Sequence, residues 1–219
     1  MPGSNGEHRL QENLGTTVRA RAFYDHQVLD HLNERMQEFV GRMEMVFVAT
    51  ADAAGEADCS FRAGPRGFVA VLDEATVAYP EYRGNGVMGS LGNIMENGHV
   101  GLLFVDFCGD GVGLHVNGCA AIVSREDMAA RVGPAGSIHE GLARSGGLAA
   151  DRWVLISVEE AYIHCAKHIP RMVERPQEPR AWGTDDPERK RGDYFRTKHE
   201  PRPWVEETSS PPAAAAIAH

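Results

Sequence analysis

Between Pro80 and Phe107 the sequence reads PEYRGNGVMGSLGNIMENGHVGLLFVDF, and it crowds Arg83, Asn85, Ser90 and Asn93 into one glycine-broken junction. Val87, Leu91, Ile94 and Met95 predict a helix over 87–97. Ser90 and Asn93 would be neighbours on one face of it. They stand near its start, where free backbone N–H groups and the helix dipole favour an anion. Upstream, ADCSFRAGP (57–65) alternates like a strand. A period of two puts Cys59 and Phe61 on one face, expected inward, and Asp58, Ser60 and Arg62 on the other, expected toward a pocket. Arg62, Arg83, Ser90 and Asn93 together would cradle a phosphate, with arginine supplying bidentate geometry. An Arg–Asp surface pair and ordinary capping residues account for the same pattern, and residue chemistry alone does not choose between them.

The second group with chemical potential is YIHCAKHIP (162–170). Read as strand, it places His164 and His168 on one face, Cys165 and Lys167 on the other. No fourth ligand stands at a recognised spacing, so no metal is expected. His115, in GLHVNG, is a further candidate. Cys59, Cys108, Cys119 and Cys165 contain no CxxC and read as small core residues rather than a disulfide set.

These residues need a scaffold. One amphipathic helix is predicted from Thr17 to Met43, on Phe23, Val28, Leu32, Met36, Phe39 and Val40. Short strands follow at 44–52, 57–62, 67–73 and 75–79, then the 87–97 helix, then strands at 100–107 and 112–124. Ser124 is a candidate N-cap for a helix over 125–132. RWVLISVEEAYIHCAK (152–167) reads as one long closing strand. Strands joined by short turns, with few helices, predict an antiparallel barrel. Residues 1–16 are expected to be an arm with little structure, 17–199 the domain, and 200–219 a flexible proline-rich tail. A net charge of −9 excludes a broad nucleic-acid surface but not a local phosphate pocket. No leader pattern and no membrane-length apolar run occur, so a cytoplasmic, membrane-free protein is expected.

The ordered set FVATADAAGEADCSFRAGPRGFVAVLDE, PEYRGNGVMGSLGNIMENGHVGLLFVDF, GLHVNGCAAIV and AYIHCAKHIPR resembles the pyridoxamine 5′-phosphate oxidase-like flavoproteins. The likeness runs from about Phe23 to Trp182 and is strongest to a bacterial branch of FMN-dependent enzymes. It implies a mainly β fold with flanking helices: a six-stranded antiparallel split β-barrel, homodimeric, with one FMN per subunit at the interface. Ser60 and Arg62 would approach the phosphate and ribityl chain. Arg83, Gly84 and Asn85 would form the adjoining loop, and Ser90 and Asn93 the helix beside it. Pro65 and Gly67 would border the ring, their backbone groups meeting its polar atoms, and His164 or Lys167 would contact flavin or substrate. No catalytic residue is implied. The serine-arginine-lysine triplet and the C-terminal tryptophan-arginine-leucine segment of true pyridoxamine phosphate oxidases are missing, which sets the chain apart from vitamin B6 oxidation. The expected function is therefore an FMN-dependent oxidoreductase acting on an unidentified small organic molecule. The same fold also carries deazaflavin (F420)-dependent reductases and non-catalytic flavin or haem binders.

Overall fold

Apolar side chains at alternate positions turn the middle of the chain into sheet. In β2 (Met45–Ala51), Val46, Val48 and Thr50 are buried while the residues between them are not, as in a strand with one face on the core. The computed structural model describes residues 2–82, 84–132, 150, 152–175, 193–202 and 204. The other main strands are β3 (Ala57–Ala63), β4 (Ala70–Asp73), β5 (Thr76–Glu81), β6 (His99–Val105), β7 (Gly113–Ser124) and β8 (Arg152–His164). Their hydrogen-bonded order is β3–β2–β6–β7–β8–β5–β4, and a two-residue β1 (Val28–Leu29) pairs with β8. All pairings are antiparallel. The described sheet thus counts eight strands where six were expected.

The ladder is open, with β3 and β4 at its ends, yet the sheet is not flat. Val46 and Val48 of β2 share one buried cluster with Val77 and Tyr79 of β5, through Leu102, Val116 and Ile156. Right-handed strand twist curls such a sheet around its own apolar face. A second, smaller cluster holds Ala70, Ala78 and Trp153 against Met128.

Among the described residues, five α-helices flank the sheet: α1 (Asn5–Asn13), α2 (Thr17–Gln27), α3 (Glu34–Arg42), α4 (Gly89–Glu96) and α5 (Arg125–Val132). The single helix expected over 17–43 is broken. The Asn33 side chain accepts from the Met36 N–H and starts α3 afresh, while the Leu32 N–H is donated to the Glu74 carbonyl of the β4–β5 turn. Where an arm with little structure was expected, Asn5–Asn13 form α1, on which Ser4 and Glu7 make a reciprocal capping box. Ser124 caps α5 as expected, accepting from the Asp127 N–H. The final strand stops at His164, and Ala166–His168 form a 3-10 turn. The expected alternation of His164, Cys165, Lys167 and His168 therefore does not hold. The four cysteines are exposed rather than in the core. Residues 133–149 and 151 lie outside the described residues.

Contacts divide the chain into two units, Met1–Gly183 and Thr184–His219. In the second, Asp193 accepts from the Thr197 and Lys198 N–H groups, and Arg202 donates to the Thr197 carbonyl. Most of the expected 200–219 tail lies outside the described residues.

β7 and β8 form the longest pair, and their register shifts at Asn117/Gly118. A Cβ added to Gly118 would lie 2.0 Å from the Ser157 carbonyl oxygen, which is backbone and cannot swing aside. Gly118→Ala should therefore destabilise the protein by about 2–3 kcal/mol, as overpacking does. Urea unfolding followed by circular dichroism measures this, and an unchanged midpoint would show the ladder free to shift.

Candidate functional site

Register decides which row of β3 turns inward, and it reverses the expected assignment. Arg62 and Ser60 lie opposite Val46 and Val48, whereas Phe61 and Cys59 lie opposite Phe47 and Ala49. Directly paired residues share a face, and Val46 and Val48 are completely buried. The polar row of β3 therefore shares the core side. Phe61 is 51% exposed on the outer face and packs edge-to-face on Phe47, with ring centroids 5.4 Å apart.

Turned inward at a sheet edge, Arg62 crosses to the far end of the ladder. Its Nε donates to Glu81 Oε2 at 3.1 Å and its Nη2 lies 3.1 Å from Glu81 Oε1, a bidentate pair with side-chain exposures of 20% and 16%. Nη2 also donates to Ser90 Oγ on α4 at 2.6 Å, and Nη1 to the Phe61 carbonyl at 3.3 Å. Burial raises the Glu81 carboxyl above its ordinary value, and the attraction of Arg62 opposes this without cancelling it. Tyr79, two residues along β5 on the same face, carries a buried hydroxyl with no hydrogen-bond partner among the described residues. Burial first, then the Glu81 charge, pushes that phenol up.

The first turn of α4 completes the group. Its N-cap residue, Met88, sits in the left-handed region at φ 57° and offers no side-chain acceptor. The opening N–H groups of α4 are therefore without the cap that Ser, Asp or Asn would supply. Ser90 is nearly fully buried against Arg62. Space is open around Gly84, Gly86, Gly89 and Gly92, where an added Cβ would meet nothing within 4 Å.

The other expected residues divide. Asn93 donates through Nδ2 to the buried Thr50 hydroxyl at 3.0 Å, which ties α4 to β2. Asn85 accepts from the Val87 N–H and shapes the loop. Ser60 donates to Asp58 at 3.0 Å. The Gly67 N–H goes to the Met43 carbonyl and the Pro65 carbonyl accepts from Phe68, so both backbone groups expected at a flavin ring are engaged within the protein. Lys167 is exposed on the 3-10 turn. Arg83 lies outside the described residues.

His164 belongs to a second cluster. His115 Nε2 and His164 Nδ1 are 2.9 Å apart. The His115 ring stacks on Tyr162 at 4.7 Å, and Phe23 of α2 meets the other side of the cluster edge-on to Tyr162 at 6.0 Å. A cavity of about 570 Å³ opens beside it, lined by Phe23, Tyr24, Asn117, Glu160 and Tyr162. Glu81 pairs in register with Arg152 at the start of β8, and His164 ends that 13-residue strand. Across the ladder the path is shorter: Phe61 pairs with Phe47, Phe47 with Leu103 and Leu103 with His115, three strand spacings or roughly 14 Å from the Arg62 strand to the histidine pair.

Residues 32–165, more than half of the chain, match the family model described as pyridoxamine 5′-phosphate oxidase. The chain belongs to that family. No curated protein matches it. Among solved structures it is similar to a Clostridium acetobutylicum protein of the pyridoxinephosphate oxidase family related to general stress protein 26 (16% identity, 59% of this chain and 85% of that one, TM-score 0.38). It is also similar to HupZ of Group A Streptococcus (21% identity, 60% and 93%, TM-score 0.42). HutZ, the haem storage protein of Vibrio cholerae, is a third (16% identity, 60% and 94%, TM-score 0.38). The family assignment rests on the family model, which spans every strand from β2 to β8.

Sequence reading missed Glu81, Tyr79 and Thr50 in this family's scaffold. The signal for the first two was present: in TVAYPE a tyrosine and a glutamate share one strand face with Val77. Nothing local marks Thr50 as the partner of Asn93, 43 positions away.

The histidine pair yields a pH prediction. Burial first, and then the neighbouring His164, lowers the His115 pKa below 6.5. The folded state binds fewer protons here than the unfolded chain, so this stability is present above pH 6.5 and is lost as pH falls toward the folded value. His115→Gln should flatten the stability-versus-pH curve in that window, and chemical denaturation at several pH values measures it. An identical slope in the variant would assign the acid sensitivity elsewhere.

Proposed function

We propose that the chain is an FMN-dependent oxidoreductase that seats the flavin phosphate where Arg62, Ser90 and the first turn of α4 meet. One observation supports this above the rest. A helix start without a side-chain cap lies directly beside a largely buried arginine bonded to the helix's second residue. That combination of backbone N–H groups, dipole and guanidinium is what phosphate recognition requires. The donor set fits a phosphate in kind, and the open surface over Gly84, Gly86 and Gly89 leaves room for it. Arg83, Gly84 and Asn85 complete the proposed cradle from the loop, with Ser60 and Asn93 beside it and Pro65 and Gly67 toward the ring.

When bound, FMN would supply the hydride or electron chemistry, and the protein its position and electrostatics. Arg62 and the α4 amides would hold the anionic end. Ser90, buried and bonded to Arg62, would fix the guanidinium plane. The substrate is a small organic molecule or acceptor. The chain's acidity speaks against the long anionic tail of deazaflavin, which is the second reading, with non-catalytic flavin or haem binding the third. A cytoplasmic setting is part of the proposal; no helix among the described residues is long and apolar enough to cross a membrane.

The protein should be a homodimer. A flavin seated at Arg62 would lie in a cleft open on one side, and a second copy would wall it and exclude water. A second copy brings His164 or Lys167 to the flavin held by the first. The outer face carrying Phe47 and the half-exposed Phe61 is the surface such a copy would cover.

Two measurements test these proposals. Fluorescence titration should show that Arg62→Ala weakens FMN binding about ten-fold or more, a charge-assisted bond being worth about 1.5–3 kcal/mol. Riboflavin, which lacks the phosphate, should bind the variant almost as before, and equal weakening of both flavins would place Arg62 elsewhere in function. Light scattering on the flavin-loaded protein should give a dimer. A monomer with full flavin occupancy would reject the two-chain site.

A further inference from the structure

Arg62 does not present an empty fork. A guanidinium has five N–H donors, and three of Arg62's donate in hydrogen bonds, one each to Glu81, Ser90 and the Phe61 carbonyl, while Nη2 also lies 3.1 Å from the second Glu81 oxygen. The Nε–Nη2 edge, the one that grips an oxyanion side-on, is filled by a carboxylate. We propose that Glu81 determines which ligands the anion seat accepts, because a phosphate reaches Arg62 only by displacing the Glu81 carboxylate. The proposal rests on the phosphate reading of the preceding section and adds to it a residue that acts against the phosphate.

Several features make the exchange possible. Glu81 is held by no group other than Arg62 among the described residues for which a hydrogen bond is seen. The groups around it are Arg62 from β3, Tyr79 on its own strand, Ser90 of α4 through Arg62, and the exposed Arg152, its register partner on β8. Burial raises its carboxyl above the ordinary glutamate value, so it takes up a proton more readily than an exposed glutamate. An incoming phosphate therefore leaves Glu81 protonated where it stands. With the carboxylate in place, the fork is already neutralised and favours ligands without a phosphate.

A pH signature follows. Phosphate binding that protonates Glu81 consumes a proton, so affinity falls as pH rises through the raised Glu81 value. A phosphate monoester on a seat of cations alone behaves in the opposite sense, because it gains charge as its second ionisation near pH 6 is passed.

Full-length protein is titrated with FMN and with riboflavin at about pH 5 to 8, as wild type and as Glu81→Gln. FMN should bind the variant roughly ten-fold tighter than wild type, the equivalent of removing one competing contact of about 1.4 kcal/mol, with riboflavin unchanged. Wild-type FMN affinity should fall with rising pH, and the variant's should not. Unchanged or weaker FMN binding by a folded Glu81→Gln protein overturns the proposal. Should the variant fail to fold, the wild-type series decides: FMN affinity that is flat or rises with pH overturns it. If neither flavin binds either protein, the flavin reading has failed on its own, and inorganic phosphate becomes the probe. Thermal stabilisation by phosphate that is larger in Glu81→Gln, or larger at low pH in wild type, sustains the role of Glu81, and its absence removes it.

Discussion

Guanidinium and carboxylate meet across a gap that no backbone hydrogen bond spans. Arg62 stands on β3, at one end of the ladder, and Glu81 on β5, next to its other end. Only a sheet curled nearly round on itself brings the two within 3.1 Å. The curl comes from strand twist and from the shared apolar cluster beneath, and the ion pair pins it at the edge. Removing one partner of a largely buried pair typically costs about 3–5 kcal/mol, since it strands the other charge. The same contact thus holds the ends of the sheet and neutralises the guanidinium beside α4.

β8 ties the described sheet together. It pairs with β7 along its whole length, with β5 on its other edge early and with β1 late. One end of it therefore lies beside Glu81 and the other beside His115 and Phe23. Helix α4 is the other positioning element. Its glycines make it weak alone, and Leu91 and Ile94 in the core, with Asn93 tied to Thr50, hold its start against Arg62.

The net charge of −9 repels polyanions at a distance. Under the proposed reading, the largely buried Arg62 guanidinium would still attract one anionic group at contact, and Glu81 would compete for the same donor edge.

Much of this was legible in the linear chain. Period-two runs marked β2, β5, β6, β7 and β8, and Ser124 marked α5. These readings worked because a strand's two faces and a helix cap are local matters, governed by neighbours a few residues away. What failed was non-local. Alternation separated the two rows of β3 correctly but assigned the wrong one to the core, because the pairing of Arg62 with Val46 sets that choice. The same cause put Cys59 outside. The continuous apolar pattern from Thr17 to Met43 hid a break that arises when Leu32 bonds to Glu74. Glu81 was passed over since its partner lies 19 positions away on a strand it does not hydrogen-bond. Residue types and periods determined which elements form and which side chains can do chemistry; register and curl, set by burial summed over the whole sheet, decided which of those side chains face each other.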